Sequence, residues 1–283
     1  MTYAGLGTDP LNAEIINAEI KGKAEKLFIL RNYVSKSNDP SMTVSYYRQS
    51  DNILSASSDT ATGEDFAYDE PLFEKNTAYM NTRGIRSRVF WNDRITNRIP
   101  VFAKTTDALA EGIVNRIESN IIAAIRAAVP TSAVTATEGF WDASVRSTRH
   151  PFDALSRAAR IVNESYYKPK HAIMTPALAA YLISNPDFQS QFVANPKMAQ
   201  MGENGSLGWL TAFGLEIIAT NRATADEVIV CDLKKLATWN EVEGIKTHVR
   251  EEPGRYVDIW SWFTGNPFVT DPKAALRLTN VQE

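Results

Sequence analysis

The feature that most constrains this chain is a polar, extended stretch from Ser41 to about Thr82, which precedes the longest predicted helix, Thr106 to Ala128. Apolar and polar residues alternate near its start, at Met42 to Tyr47, which predicts a strand. The rest is too polar to form a core of its own. A polar arm beside a stiff helix is typical of a protein that contacts its neighbours.

The long helix is predicted from its apolar periodicity. At 100° per residue, eight apolar side chains fall within an arc of about 160°, namely Leu109, Ala110, Ile113, Val114, Ile117, Ile121, Ala124 and Ile125. Thr105 or Thr106 is expected to cap its start, and Pro130 prevents its continuation. Its length is about 34 Å. On its own, such a helix equally suits the core of an α/β enzyme.

Composition narrows the class of protein. The chain has 283 residues, of which 44% are hydrophobic and 22% charged, so it is long enough for a sizeable core in one or two compact units. Its net charge of −3 gives no overall basic field for nucleic acid. The single cysteine, Cys231, lies in an apolar run and is expected to be a buried, inert thiol. With no signal peptide or membrane span, the expectation is a soluble protein made in a cytoplasm.

Five regions follow along the chain. Residues 1–35 form an N-terminal arm with an amphipathic helix and a strand-like run, Leu27 to Val34. Residues 36–88 form an extended loop, predicted as a long two-stranded projection. Residues 89–129 contain strand-like Ile99 to Ala103 and then the long helix. Residues 130–244 alternate helices with short apolar strands, which predicts a sheet covered by helices. Residues 245–283 form a further strand and a closing segment.

No chemical motif points to catalysis or cofactor binding. The sequence has no GxGxxG, GxxxxGK[ST], HExxH, GxSxG or CxxC pattern. His150, His171 and His248 are far apart and have no partner at metal-ligand spacing, so structural or surface roles are expected. Catalytic, cofactor and metal residues are therefore not expected.

The charges of the arm are segregated. Six acids and no Lys or Arg lie between Asp59 and Glu74, and six bases with one acid lie between Arg83 and Lys104. The two strands of one hairpin could neutralise each other, or the acidic tip could reach the basic root of a neighbouring copy. The candidate intersubunit residues are Asp65, Asp69, Glu70, Glu74, Arg83, Arg86, Arg88 and Arg94.

The order of these regions resembles the Hong Kong 97 (HK97) type major capsid proteins of tailed bacteriophages and related viruses. Three sequence segments carry the resemblance. Lys168 to Pro176 is similar to a strand and helix of the axial domain. Gly208 to Asn221 is similar to a glycine-flanked strand, and Tyr256 to Leu278 to the closing segment. The match lies in their order and spacing along nearly the whole chain.

The resemblance implies an α+β fold with an N-terminal arm, an extended β-hairpin loop, a peripheral domain and an axial domain. Residues 89–129 and 245–283 would form the peripheral domain, with 106–128 as its spine helix, and 130–244 the axial domain. An axial loop would point at the five-fold and six-fold axes, through Met201, Gly202, Asn204 and Gly205. Basic residues would face packaged DNA, namely Arg146, Arg149, Arg157 and Arg160.

The resemblance also implies partners. Copies would form pentamers and hexamers of an icosahedral shell around double-stranded DNA, with a portal and decoration proteins. The short segment before the loop leaves no room for a fused scaffold, so a separate scaffold is expected. Covalent cross-linking through Lys75 and Asn266 is not expected, because neither fits a cross-linking motif. The alternatives are an encapsulin-like cargo compartment of the same fold and an unrecognised α/β enzyme.

Overall fold

The computed structural model describes residues 13–49, 73–96, 100–135, 138–142, 150–185, 211–212 and 214–282. They form two compact units. The first contains the described residues within Met1–Val44, Ala78–Ala123 and Trp239–Phe268. The second contains those within Ser45–Thr77, Ala124–Thr238 and Val269–Glu283. Helices and strands are mixed in both units, so the predicted α+β class is confirmed.

The first unit is built on a four-stranded sheet in the order β1-β10-β11-β4. The strands are β1 (Ser35–Ser37), β4 (Asn81–Phe90), β10 (Ala237–Glu252) and β11 (Tyr256–Val269). β10 and β11 are joined by a turn in which Gly254 has φ +73°, a conformation that glycine adopts without steric cost. β11 pairs antiparallel with β4 from Tyr256 opposite Phe90 to Gly265 opposite Asn81. Strand β4 therefore belongs to this sheet, although residues up to 88 were predicted to lie in the extended loop.

Four helices accompany this sheet along the chain: α1 (Ala13–Leu27), α2 (Leu30–Tyr33), α3 (Trp91–Thr96) and α4 (Val101–Ala128). In α1, Ile16, Ile20 and Ala24 are buried on one face, as the periodicity predicts. In α4, Leu109, Ile113, Ile117, Ile121 and Ile125 are each at most 2% exposed. The predicted amphipathic face of the long helix is confirmed.

Two predicted strands of this region are wrong. The run Leu27 to Val34 contains the last residue of α1 and all of α2, and its apolar residues Phe28, Leu30 and Val34 are buried. The run Ile99 to Ala103 leads into α4, which begins at Val101, directly after Pro100. Short apolar runs have no periodicity of their own, so a strand and a buried helical turn look alike in sequence.

The start of α4 also differs from the prediction. Thr105 and Thr106 lie inside the helix, where their hydroxyls donate to the carbonyls of Val101 and Ala103, each at 2.8 Å. The carbonyl of Pro100 accepts the first helical bond, from Lys104 N at 3.0 Å. Threonine can satisfy its hydroxyl within a helix, so its presence alone does not mark a helix start.

The second unit is built on a six-stranded sheet in the order β5-β12-β9-β6-β8-β7. These strands are β5 (Thr131–Ala133), β6 (His171–Met174), β7 (Thr211–Ala212), β8 (Leu215–Ala219), β9 (Glu227–Cys231) and β12 (Ala275–Thr279). β12 pairs parallel with β5 and antiparallel with β9. It lies in this sheet, although the sequence analysis assigned residues 245–283 to the peripheral domain.

Helices α5 (Pro151–Glu164) and α6 (Pro176–Ile183) cover strands of the six-stranded sheet. Both begin with proline at the first helical turn, and Thr175 Oγ1 caps α6 by accepting from Leu178 N at 3.3 Å. Cys231 is fully buried at the end of β9, and burial raises the pKa of its thiol. The predicted sheet covered by helices is confirmed for the described residues.

A separate two-stranded sheet is formed by β2 (Thr43–Gln49) and β3 (Phe73–Tyr79). The rings of Tyr47 and Phe73 meet edge to face across it, with centroids 6.5 Å apart.

No helix in the described part of the chain is long and apolar enough to cross a membrane.

Candidate intersubunit surfaces

The first candidate surface lies on strands β4 and β11, where two predicted contact residues share one carboxylate. Arg88 and Asp258 occupy opposite positions, and Arg88 donates to Asp258 Oδ1 from Nε at 2.7 Å and to Oδ2 from Nη2 at 3.0 Å. Arg86 also donates to Oδ2 of Asp258. The Asp258 side chain is 2% exposed, whereas the two arginine side chains are 38% and 49% exposed. The arginines therefore cover the acid and keep part of their own surface in solvent.

These hydrogen bonds set the charge of the cluster. The hydrogen bond from Arg88, followed by that from Arg86, lowers the pKa of Asp258 to about 2, so the carboxylate is ionised at neutral pH. The same contact raises the pKa of Arg88. Two positive charges and one negative charge leave the cluster with a net charge of +1.

Aromatic rings flank the arginines on this face. The guanidinium carbon of Arg88 lies 3.7 Å from the ring centroid of Tyr256, and that of Arg86 lies 4.8 Å from Trp260. The imidazole of His248 lies 5.4 Å from the same Trp260 ring. Arginine, tryptophan and tyrosine are the residues most enriched at the energetic centres of protein interfaces. This arginine–aromatic face has the composition of a contact surface.

Arg83 lies on the opposite side of β4, since successive side chains of a strand alternate. It lines a cleft with Arg116 of helix α4. Burial, followed by the charge of Arg116, lowers the pKa of Arg83. Arg94, the fourth predicted base, lies in helix α3. The four predicted bases are therefore distributed over different faces and elements.

The second candidate surface is one face of the β2–β3 hairpin. The contact between Tyr47 and Phe73 places these residues on the same face, and alternation adds Lys75, Thr77 and Tyr79. Tyr47 is 64%, Phe73 57% and Tyr79 68% exposed. The predicted acid Glu74 is also exposed, on the other face of β3. Three exposed aromatic rings on one narrow ribbon form an aromatic hairpin face.

Several predicted residues lie outside the described part of the chain. These are the acids Asp65, Asp69 and Glu70, the axial-loop residues Met201, Gly202, Asn204 and Gly205, and the basic residues Arg146 and Arg149.

The two described DNA-facing candidates have different environments. Arg157 is held inside its own unit, where Nε donates to Glu138 Oε1 at 2.5 Å, Nη1 to Ser132 Oγ at 2.6 Å and Nη2 to the Ala133 carbonyl at 3.0 Å. Arg160 is 70% exposed and lies 3.5 Å from Glu164, one helical turn away. Arg157 therefore fixes the chain after β5, and Arg160 presents its charge to solvent.

Three polar contacts of the first unit were not predicted. Glu118 of α4 is fully buried, and its Oε1 accepts from the backbone N–H groups of Ile29 at 2.5 Å and Leu30 at 2.9 Å. Arg31 forms an ion pair with Glu241. The buried side chain of Asn240 accepts a hydrogen bond from Asp39 N at 2.9 Å and donates one to the Asp39 carbonyl at 3.1 Å. A lone acid near an apolar helical stripe is the only sequence signal for Glu118.

No metal centre is formed by the described residues, because they contain no group of three or more His, Cys, Asp and Glu side chains that could hold an ion.

Comparison with known proteins identifies the family. A family model described as phage capsid protein matches residues 74–278. No curated protein sequence matches the chain. Several solved structures share the fold. A virus-like particle from Pyrococcus furiosus has a TM-score of 0.65 at 12% identity, covering 94% of this chain and 98% of that chain.

Two phage structures are similarly close. The capsid of cyanophage P-SCSP1u has a TM-score of 0.65 at 13% identity, covering 90% of this chain and 89% of that chain. The structure from Mycobacterium phage Che8 has a TM-score of 0.63 at 12% identity, covering 90% of this chain and 92% of that chain. At these identities the structural likeness establishes the fold, and the family model covers most of the chain. The chain belongs to the phage capsid protein family and is a major capsid protein of the HK97 type fold.

Proposed function

We propose that copies of this capsid protein assemble through pentamers and hexamers into an icosahedral shell that encloses a double-stranded DNA genome. The observation that carries the proposal is the aromatic hairpin face. An isolated two-stranded ribbon is marginal in water, and three aromatic rings on one ribbon are seldom left exposed in a monomer. A second copy supplies the surface that the hairpin needs, since Tyr47, Phe73 and Tyr79 are exposed on one of its faces.

The predicted sites have roles in this assembly. The acids Asp65, Asp69, Glu70 and Glu74 and the bases Arg83, Arg86, Arg88 and Arg94 lie between adjacent copies. The loop with Met201, Gly202, Asn204 and Gly205 lies at the symmetry axes. Arg146, Arg149 and Arg160 face packaged DNA, and the Arg160 side chain is 70% exposed. Arg157, also predicted for this surface, is held by Glu138 and Ser132 within its own unit. Such contacts are weak and non-specific, because the chain has a net charge of −3.

Other virion proteins complete the proposal. A portal, a separate scaffold and decoration proteins are the expected partners, and the subunit is made in the host cytoplasm before it enters the virion. The role is structural and not enzymatic. The family match favours a viral shell over an encapsulin-like compartment.

Size-exclusion chromatography with negative-stain microscopy tests the proposal. The purified full chain, alone and with its scaffold, is expected to form hollow icosahedral particles of megadalton mass. A stable monomer or dimer under every assembly condition would contradict it. Particles that package an enzyme in place of a genome would favour the cargo compartment instead.

Charge reversal tests the arm. Asp69→Lys with Glu70→Lys is expected to reduce assembly and to change its dependence on salt, because surface charge pairs are screened by ions. Unchanged assembly and salt dependence would exclude these two acids from the intersubunit contact.

A further inference from the structure

A cleft of about 530 Å³ lies within the first unit, between strand β4 and helix α4. Its lining includes Arg83, Ile85, Gly112, Arg116, Ser119 and Phe263. The helix approaches the strand so closely here that a Cβ atom on Gly112 would meet Ile85 Cδ1 at 2.6 Å. The cleft is thus a feature of the packed fold, with one guanidinium from the strand and one from the helix.

The two arginines of the cleft have no acid to pair with among the residues described. Arg83 Nη1 is buried and has no hydrogen-bond partner within that same set. Burial, followed by the positive charge of Arg116, lowers the pKa of Arg83, and no other charge among the described residues contributes to this shift. The guanidinium remains charged near neutral pH, since arginine does not deprotonate in proteins.

The neighbouring arginines provide the comparison. Arg86 and Arg88 of the same strand share the carboxylate of Asp258. Arg83 faces the other way, and its buried donor is left without an acceptor. A buried, unsatisfied donor is costly, and two like charges around one cleft add repulsion. An anion in the cleft would accept a hydrogen bond from the buried donor and would also offset the repulsion between the two guanidinium groups.

We propose that this cleft binds carboxylate side chains from the acidic segment, residues 59–74, of a second copy. The inference rests on the proposed assembly and names the site at which the arm docks. The segment carries six acids and no Lys or Arg, so its charge complements the cleft. Two guanidinium groups can hold a carboxylate through paired N–H donors, which gives geometric specificity as well as attraction.

Reversal of the charge of Arg116 tests the docking site, because this exposed residue can be changed without disturbing the core. Arg116→Glu is expected to raise the subunit concentration needed for assembly about tenfold. Lys26→Glu, an equal charge change on an exposed residue of helix α1 outside the basic segment, is the matched control and is expected to have little effect. Equal effects of the two variants would overturn the proposal.

A charge swap identifies the occupant. Asp65→Lys with Asp69→Lys and Glu70→Lys is expected to impair assembly, and combining these changes with Arg116→Glu on one chain is expected to restore it. In an equal mixture, the arm variant and the Arg116→Glu variant should associate with each other more tightly than either associates with itself, since each Arg116→Glu cleft can then meet a lysine-bearing arm. Recovery on one chain without this mixed association would place the contact within a copy and overturn docking between copies.

Peptide binding separates this inference from the assembly itself. A synthetic peptide of residues 59–74 is expected to bind the unassembled full chain, and Arg116→Glu is expected to weaken binding about tenfold relative to Lys26→Glu. If the wild-type chain forms no particles but binds the peptide in this way, the proposed shell fails and the cleft assignment stands. A cleft that binds a short duplex DNA probe and not the peptide would overturn the assignment.

Discussion

Arg88 and Asp258 face each other across strands β4 and β11, and the arginine donates hydrogen bonds to both carboxylate oxygens, at 2.7 and 3.0 Å. The two residues are 170 positions apart in sequence. Arg86 binds the same carboxylate, so one buried acid neutralises part of the basic strand. The contact fixes β4 to β11 at the outer position of the sheet.

The first prediction concerns pH and Asp258. Its pKa in the folded chain, about 2, lies below the ordinary value of 3.8, so the folded state is stabilised above about pH 4 and loses this contribution as the pH falls toward 2. Asp258→Asn is therefore expected to lower the free energy of unfolding by about 2 kcal/mol at pH 7. Urea unfolding of dissociated subunits measures this difference.

The difference between wild type and Asp258→Asn should shrink as the pH falls below about 4, because the wild-type carboxyl then becomes neutral as well. Glu111→Gln, an exposed acid of α4, is the control and should show no such dependence. A constant difference at all pH values would contradict the ionised contact.

The second prediction concerns Glu118. Glu118→Ala is expected to lower the free energy of unfolding by about 3 kcal/mol, since the N–H groups of Ile29 and Leu30 lose their buried acceptor. Glu118→Gln keeps a carbonyl oxygen at this position and should cost less. Denaturant unfolding of dissociated subunits provides the measurement. A loss no larger than that of the surface change Glu111→Ala would contradict the capping role.

The third prediction compares two glycines. A Cβ atom on Gly265 would meet the Asn240 carbonyl oxygen at 2.6 Å, so Gly265→Ala is expected to destabilise the first unit by about 2 kcal/mol. Gly22 of helix α1 has no atom within 4 Å of the added Cβ, so Gly22→Ala should stabilise by about 1 kcal/mol. Thermal unfolding compares the two, and effects of the same sign would contradict the packing.

The fourth prediction concerns the aromatic hairpin face. Phe73→Ser is expected to raise the subunit concentration for assembly at least tenfold and to leave the stability of the dissociated subunit nearly unchanged. Burying a phenylalanine contributes about 2 kcal/mol, and Phe73 is 57% exposed before assembly. Light scattering gives the assembly threshold. Thr77→Ser, on the same face, is the control, and a lower melting temperature for Phe73→Ser alone would point to a role within the subunit.

The elements that were predictable from sequence are those with a clear period or a clear stop. Helix α4 repeats its apolar residues over many turns. Strands β6, β8 and β9 and helix α6 are short apolar segments that are bounded by polar residues or proline. Residues 245–283 were expected to contain a further strand, which is β11. Strand β10 (Ala237–Glu252) was not predicted as a strand of its own, because Asn240 and Glu241 make its first part look polar. Asn240 is buried there through its bonds to Asp39.

The contact surfaces were harder to predict, because they depend on strand register. Arg86 and Arg88 were predicted as candidate intersubunit residues, and their partner Asp258 within the subunit follows only from the pairing of β4 with β11. Arg116 lies outside the predicted apolar arc of the long helix, and its neighbour in the cleft is set by how close α4 comes to β4. Charge segregation in sequence predicted where charges lie and not which charges meet.

The position of β12 has a consequence for synthesis. This strand lies between β5 and β9, and its residues 275–279 come more than 140 positions after β5. Until the ribosome has made those residues, β5 lacks its described pairing and β9 has one open edge. The second unit therefore completes its sheet only after nearly all of the described chain has emerged.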